Sequence, residues 1–222
     1  IEAHRPAIVY LAYPNNPTAN LWDDAVIARL IALQARLGGL VVMDEAYQPF
    51  SSRSWIDRLR EHPHRYPNVL LMRTLSKFGL AGVRLGYLIG PSALIHEIDK
   101  LRPPYNVSVL NAECALFAIE HADVFAVQAA ELRSQRAALT ERLAALPGVQ
   151  VWPSEANMIL LRVPDAHALF AGMKARGVLV KNVSALHPLL ANCLRLTVGT
   201  PEENAQMLQA LQAALADLQA TA

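Results

Sequence analysis

Read in chain order, Asn16-Pro17-Thr18, Asp44-Glu45-Ala46-Tyr47, Ser76-Lys77 and Arg84 supply an amide, a carboxylate, a phenol, a primary amine and a fixed cation. The amine can condense with an aldehyde, and the carboxylate can keep a pyridine nitrogen protonated. The Tyr47 phenol and the Asn16 amide can both hydrogen-bond a ring oxygen and so tune the acidity of an imine beside it. Arg84, with the hydroxyls of Thr74 and Ser76, can bind a phosphate ester through a two-pronged contact. Together these groups suffice to hold pyridoxal phosphate (PLP) and to use its ring as an electron sink. Taken singly, each motif is weak. A lone lysine after a strand is ordinarily a solvated loop residue, and an Asp-Glu pair is ordinarily a cap or a turn. Four motifs in order, with Asp44 and Lys77 at separate strand ends, argue against coincidence.

The elements that must position these groups follow from apolar periodicity and turn residues. Residues 7–12 form a short apolar run closed by Tyr13-Pro14-Asn15-Asn16-Pro17, which predicts a buried strand. Asp23-Asp24 opens a helix with apolar positions Val26, Ile27, Leu30, Ile31, Leu33 and Leu37, and Gly38-Gly39 ends it. Strands are predicted over 40–43, delivering Asp44, over 69–75, delivering Ser76 and Lys77, and over 85–89, bounded by Gly90-Pro91. Strands alternating with helices imply a mostly parallel sheet, and such sheets place ligands at strand ends. Gly79, Gly82 and Gly86 mark a tight loop that brings backbone close to a ligand.

The pattern changes near Pro103-Pro104. Ser108 caps a predicted helix to about residue 121, a longer helix runs over 123–146, and Pro147-Gly148 closes it. Short strands over 149–152, 158–163, 178–180 and 194–198 are interleaved with a helix over 165–176. Thr200-Pro201-Glu202-Glu203 is a capping box that starts a last helix. The division expected is therefore 1–105 and 106–222, with the helix after Ser108 as the bridge.

Composition narrows the field. A chain of 222 residues that is 53% hydrophobic can bury a sizeable core. The net charge of +1 gives no reason to expect nucleic acid, and no apolar run approaches a membrane span. Cys114 and Cys193 lack metal-ligand spacing and read as reduced, partly buried thiols of a cytoplasmic protein. His62 and His64 read as surface residues, His187 as structural, and Tyr105 and Trp152 as core or interdomain packing, so no metal site is expected. Ile1 is not an initiator methionine, and a buried strand follows within a few residues, so an N-terminal portion is expected to be missing.

The stretch from Thr74 to Arg84, Thr-Leu-Ser-Lys-Phe-Gly-Leu-Ala-Gly-Val-Arg, resembles the Schiff-base segment of class I/II aminotransferases, the fold-type I PLP-dependent superfamily. Many relatives carry one more residue between lysine and arginine. Asp44-Glu45-Ala46-Tyr47 matches the family tetrad residue for residue, and Asn16-Pro17-Thr18 matches Asn-Pro-Thr, with Ala19 where glycine is usual. The resemblance covers essentially the whole chain. It implies an α/β PLP-dependent transferase fold, with the mostly parallel sheet of a large domain, incomplete here, plus a smaller C-terminal α+β domain. By the same resemblance Lys77 holds PLP as an imine and carries the proton, while Asn16, Asp44, Tyr47, Thr74, Ser76 and Arg84 bind the cofactor. A homodimer is implied as well.

Arg195, in Cys193-Leu194-Arg195-Leu196-Thr197-Val198-Gly199-Thr200, is similar to the family's late arginine and implies a grip on the substrate's anionic group. Spacing alone leaves it equally a strand-edge arginine with its head in water. The segment from Leu186 to Arg195, with Thr200-Pro201-Glu202-Glu203-Asn204, resembles the histidinol-phosphate aminotransferases within the family. That likeness implies Arg195 and Lys181 as phosphate ligands, and resemblance to the wider superfamily implies Asn157 near the substrate carboxylate or backbone. It further implies ping-pong transfer between L-histidinol phosphate, as amino donor, and the 2-oxo acid 2-oxoglutarate, as in histidine biosynthesis. A related PLP-dependent decarboxylase of phospho-amino acids, an aminotransferase for aromatic or branched amino acids, and a truncated chain without activity stand as alternatives.

Overall fold

The apolar runs that end in Asp44 and Thr74 become adjacent strands, and their chain order is also their spatial order. The computed structural model describes residues 1–220. By packing the chain divides into two units, 1–15 with 21–127, and 16–20 with the chain from Gln128 onward.

In the first unit β1 (Ile8–Ala12), β2 (Leu40–Asp44), β3 (Val69–Thr74) and β4 (Gly86–Ile89) form one sheet in that order. The first three strands are parallel, and β4 runs antiparallel to β3. The antiparallel step follows from the connection. Residues 75–85 hold only short helical turns, which cannot make the long crossover that a parallel neighbour needs. Helix α1 (Asp24–Arg36) starts as predicted: the Asp23 carboxylate accepts the N–H groups of Ala25 and Val26. It buries Ile27 and Ile31 against Val41, Met43, Val69 and Leu71, together with Tyr13, Trp55 and Tyr66.

Two helices had no counterpart in the sequence reading, α2 (Trp55–Glu61) and α3 (Ser92–Asp99). The first is too short for a periodic signal and depends on the Ser54 cap, whose side chain accepts from Ile56 N. The second has no side-chain cap. Helix α4 (Val109–Glu120) begins at the predicted Ser108 cap and lies wholly in the first unit. Helix α5 (Ala122–Ala144) contains the changeover at Val127/Gln128, whereas the expected division was 105/106. Tyr105 is 98% exposed, so the packing role expected of it is not met, and Cys114 is exposed while Cys193 is buried.

The second unit holds β5 (Gln150–Val151), β6 (Met158–Arg162), β7 (Lys181–Asn182) and β8 (Cys193–Thr197), ordered β5-β6-β8-β7 and antiparallel throughout. Alternation along β6 and β8 puts Ile159, Leu161, Leu194 and Leu196 on one face. That face packs on Leu139 and Leu143 of α5, on Leu169 and Met173 of α6 (Ala166–Ala175), and on Met207, Leu208 and Leu211 of α7 (Pro201–Ala220). The capping box at Thr200 and Glu203 closes from both sides: Glu203 N donates to Thr200 Oγ1 and Thr200 N to Glu203 Oε2. The strand expected over 178–180 pairs instead at Lys181–Asn182, because Val178 and Val180 pack against the core.

Beside the first sheet, buried Tyr13 donates its hydroxyl to Asp24 Oδ1 at 2.8 Å, and Asp24 Oδ2 accepts from Arg58 and Arg53. Burial, and then the bond to Asp24, pushes the Tyr13 phenol above its ordinary pKa. Burial alone would raise Asp24; the hydrogen bonds from Arg58 and Tyr13, with the Arg53 and Arg58 charges, hold it below the ordinary value. A raised phenol stabilises the fold below its unfolded pKa, and that contribution is lost as pH climbs through it. A depressed carboxyl stabilises above its unfolded pKa and loses the contribution as pH falls. The cluster therefore contributes fully between about pH 4 and pH 10 and less outside that window. In urea melts, Tyr13→Phe is expected to cost about 1–2 kcal/mol at neutral pH, a deficit that narrows above about pH 10. A constant deficit up to pH 11 would remove Tyr13 from this account.

Candidate active site

The parallel strands β2 and β3 end side by side, with Asp44 in register with Met72. Asp44 is half-buried, and its Oδ1 accepts the Ala46 N–H at 3.0 Å, a local turn that fixes the carboxylate. Among the described residues its carboxylate has no further hydrogen bond. It lines a cavity of about 850 Å³ together with Thr74, Ser76 and Arg84. The Thr74 hydroxyl accepts Ser76 N at 3.0 Å and donates to Leu85 O at 3.3 Å, holding the start of the 76–84 loop to the start of β4. Arg84 Nη1 donates to Ser76 Oγ at 3.4 Å and to Ala81 O at 3.3 Å. The Arg84 guanidinium and the Ser76 hydroxyl are thus brought together at this loop. Arg84 holds a left-handed backbone at φ 56°, a conformation that costs a non-glycine residue about 1 kcal/mol.

Two of the three loop glycines are needed sterically. Gly79 has φ 117°, and a Cβ there would sit 2.8 Å from the Phe125 ring. A Cβ on Gly86 would sit 2.8 Å from Arg73 O, whereas Gly82 has open space around it. Lys77 is half-buried, with Nζ 5.5 Å from the centre of the Tyr47 ring, a cation–π contact. Lys77 and Tyr47 are therefore neighbours, off the lining of the cavity that Asp44 faces.

In the second unit, β7 and β8 set Lys181 directly opposite Arg195, so two cations occupy adjacent positions on one sheet face. Arg195 Nη1 donates to Asn16 Oδ1 at 2.7 Å, which turns the Asn16 amide so that its NH₂ points away from the guanidinium. Residue 19, where glycine is usual in the family, is tightly constrained. Ala19 is fully buried at φ 57°, and its carbonyl accepts Glu155 N at 2.7 Å. Asn157 is anchored through its own carbonyl, which accepts Val198 N at 2.9 Å.

Arg136, which no sequence motif marks, donates to Ala156 O at 3.0 Å beside Asn157. Burial pulls its guanidinium below the ordinary pKa, against the charge of Glu155. One arginine on a helix of mixed polarity carries no local signal of such a task. His187 is structural, as expected: its Nδ1 accepts Leu189 N at 3.1 Å. Trp152 packs against the buried cluster of Leu160, Val183, Leu190 and Cys193, and His62 and His64 are exposed. Among the described residues there is no group of three potential metal ligands, and no helix is long and apolar enough to cross a membrane.

The sequence profile of the aminotransferase class I and II family matches residues 1–211. The chain belongs to this family. It is 69% identical over 216 residues to a histidinol-phosphate aminotransferase of Acidovorax sp. (strain JS42), covering 97% of this chain and 59% of that protein. To the histidinol-phosphate aminotransferase of Methylibium petroleiphilum it is 71% identical over 215 residues, covering 97% and 57%. The chain thus spans just under three fifths of the length of the curated relatives it matches. A solved histidinol-phosphate aminotransferase from Sinorhizobium meliloti, in complex with pyridoxal-5'-phosphate, superposes with a TM-score of 0.81 at 26% identity, over 98% of this chain and 59% of that one. The α/β fold with its parallel-rich sheet is accordingly that of the class I/II aminotransferases.

Proposed function

We propose that the chain is the part of a histidinol-phosphate aminotransferase that carries the cofactor lysine, transferring the amino group of L-histidinol phosphate to 2-oxoglutarate. The observation that carries the substrate assignment is the 69–71% identity to relatives of that name over nearly the whole chain. In this reading residues 1–105 contribute to the large domain and 106–222 make the small one. The working protein is a homodimer.

The first unit fits PLP by its donor set. Asp44 has acceptor capacity directed at the cavity, Ser76 and Arg84 converge on one another for a phosphate, and Gly86 keeps the backbone close behind them. Bound there, PLP supplies an electron sink for the charge left at a substrate Cα. Thr74, Ser76 and Arg84 would bind its phosphate, Asp44 would keep its ring nitrogen protonated, and Tyr47 and Asn16 would hydrogen-bond its ring oxygen. Lys77 Nζ would anchor the aldehyde carbon, then take the proton from the donor's Cα and return it. Arg195 and Lys181 would neutralise the phosphate of the donor, Arg195 as a fork and Lys181 as a point charge. Asn157, held by its backbone, would face the substrate.

The test is product analysis with PLP present. Glutamate formed from L-histidinol phosphate and 2-oxoglutarate is the expected result. Carbon dioxide released from O-phosphothreonine, without glutamate, would replace the transaminase reading with a decarboxylase. Neither product would mean that the chain alone has no activity.

A further inference from the structure

Two carboxylates stand next to each other at the end of β2, and the structure gives them opposite surroundings. Asp44 faces the 850 Å³ cavity, with one hydrogen bond from Ala46 N. Glu45 is 1% exposed and saturated. Its Oε1 accepts Trp55 N at 2.6 Å, and the Ser54 hydroxyl lies 2.9 and 2.8 Å from its two oxygens. Its Oε2 accepts from Arg73 Nε at 3.1 Å and Nη2 at 2.9 Å, and the same Nη2 lies 2.9 Å from Ser54 Oγ. One side chain therefore ties together the end of β2, the cap of α2 and the end of β3.

Its partners border the residues assigned to the cofactor. Glu45 follows Asp44, and its carbonyl accepts Gln48 N, closing the turn that carries Tyr47. Arg73 precedes Thr74, whose hydroxyl holds Ser76 N next to Lys77. Burial alone would lower the Arg73 guanidinium; the hydrogen bonds and charge of Glu45, with help from Tyr87, hold it above its ordinary pKa. A buried ion pair is weak evidence of net stabilisation, because the desolvation of both charges offsets their attraction.

We propose that Glu45 and Arg73 form a positioning pair. It sets the separation between Asp44 and the Thr74–Lys77 segment and, by saturating Glu45, leaves Asp44 as the one carboxylate at that strand end able to pair with a ligand. This inference rests on the cofactor reading given above.

The experiment compares the chain with Glu45→Gln, Arg73→Met, Arg73→Lys and the double variant Glu45→Gln/Arg73→Met. Three quantities are read: PLP affinity from fluorescence quenching, the pH midpoint of the bound cofactor's visible band, and the melting temperature. Both charge-changing single variants are expected to weaken PLP about tenfold or more, a typical loss for a supporting residue behind a ligand-binding group. Glu45→Gln, which leaves a guanidinium unpaired, should move the midpoint to lower pH, and Arg73→Met should move it to higher pH. The double variant should regain the original midpoint but not the affinity, because charge balance returns and the two-pronged geometry does not. Should Glu45→Gln fail to fold, Arg73→Lys must still show the affinity loss, since it keeps the charge and loses the fork. Variants that melt earlier yet bind PLP with unchanged affinity and midpoint would overturn the positioning role alone. An unsubstituted chain that takes up no PLP would overturn the cofactor reading and this inference with it.

Discussion

Replacing Lys77 with alanine is expected to lower amino transfer at least about 10³-fold, because one side chain is asked both to anchor the cofactor and to move the proton. The fold should barely respond. Lys77 is half-buried, and its Nζ sits 5.5 Å from the centre of the Tyr47 ring, an interaction worth about 0.5–1 kcal/mol. The covalent readout is sharper than the rate. Borohydride reduction of the chain with PLP should place the adduct on the peptide containing Lys77 and not on Lys100, Lys174 or Lys181. Lys77→Arg separates the chemistry of the side chain from its contact with Tyr47. It keeps a cation against Tyr47 and therefore the stability, yet cannot form the adduct. An adduct spread over all four lysines, or turnover in Lys77→Ala within tenfold of the original, would end the assignment.

The parts of this site that could be read from sequence are those where a local signal and a chemical group coincide. Asp44 closes one apolar run and Ser76-Lys77 follows another, so their placement beside strand ends followed from periodicity, although β3 itself stops at Thr74. Asp23, Ser108 and Thr200 announce their helices by cap chemistry. What escaped depends on partners far apart in the chain. Glu45 and Arg73 are 28 residues apart, and Asn16 and Arg195 are 179 apart, so no window of sequence holds both members of either pair. Backbone conformation escaped as well: nothing in the residue types shows that Arg84 and Ala19 adopt left-handed φ. The strand expected at 178–180 was misplaced because an apolar run can bury itself against a helix as readily as it pairs in a sheet.

Asp44→Asn should cost turnover about 10²–10³-fold, the scale of removing one preorganised electrostatic partner. Asparagine is the informative replacement because its side-chain oxygen can still accept the Ala46 N–H, so the turn survives and only the charge goes. Melting should therefore stay within about 0.5 kcal/mol, as for other substitutions that leave packing and hydrogen bonding intact. Glu45 cannot take over: both of its oxygens are already committed to Ser54, Trp55 and Arg73. Asp44→Ala removes charge and turn together and should add a loss of order in residues 44–47, visible as faster amide exchange there. Turnover in Asp44→Asn within threefold of the original would show that the charge at this strand end does not face the reacting ring. The cavity lined by Asp44, Ser76 and Arg84 would then need another occupant.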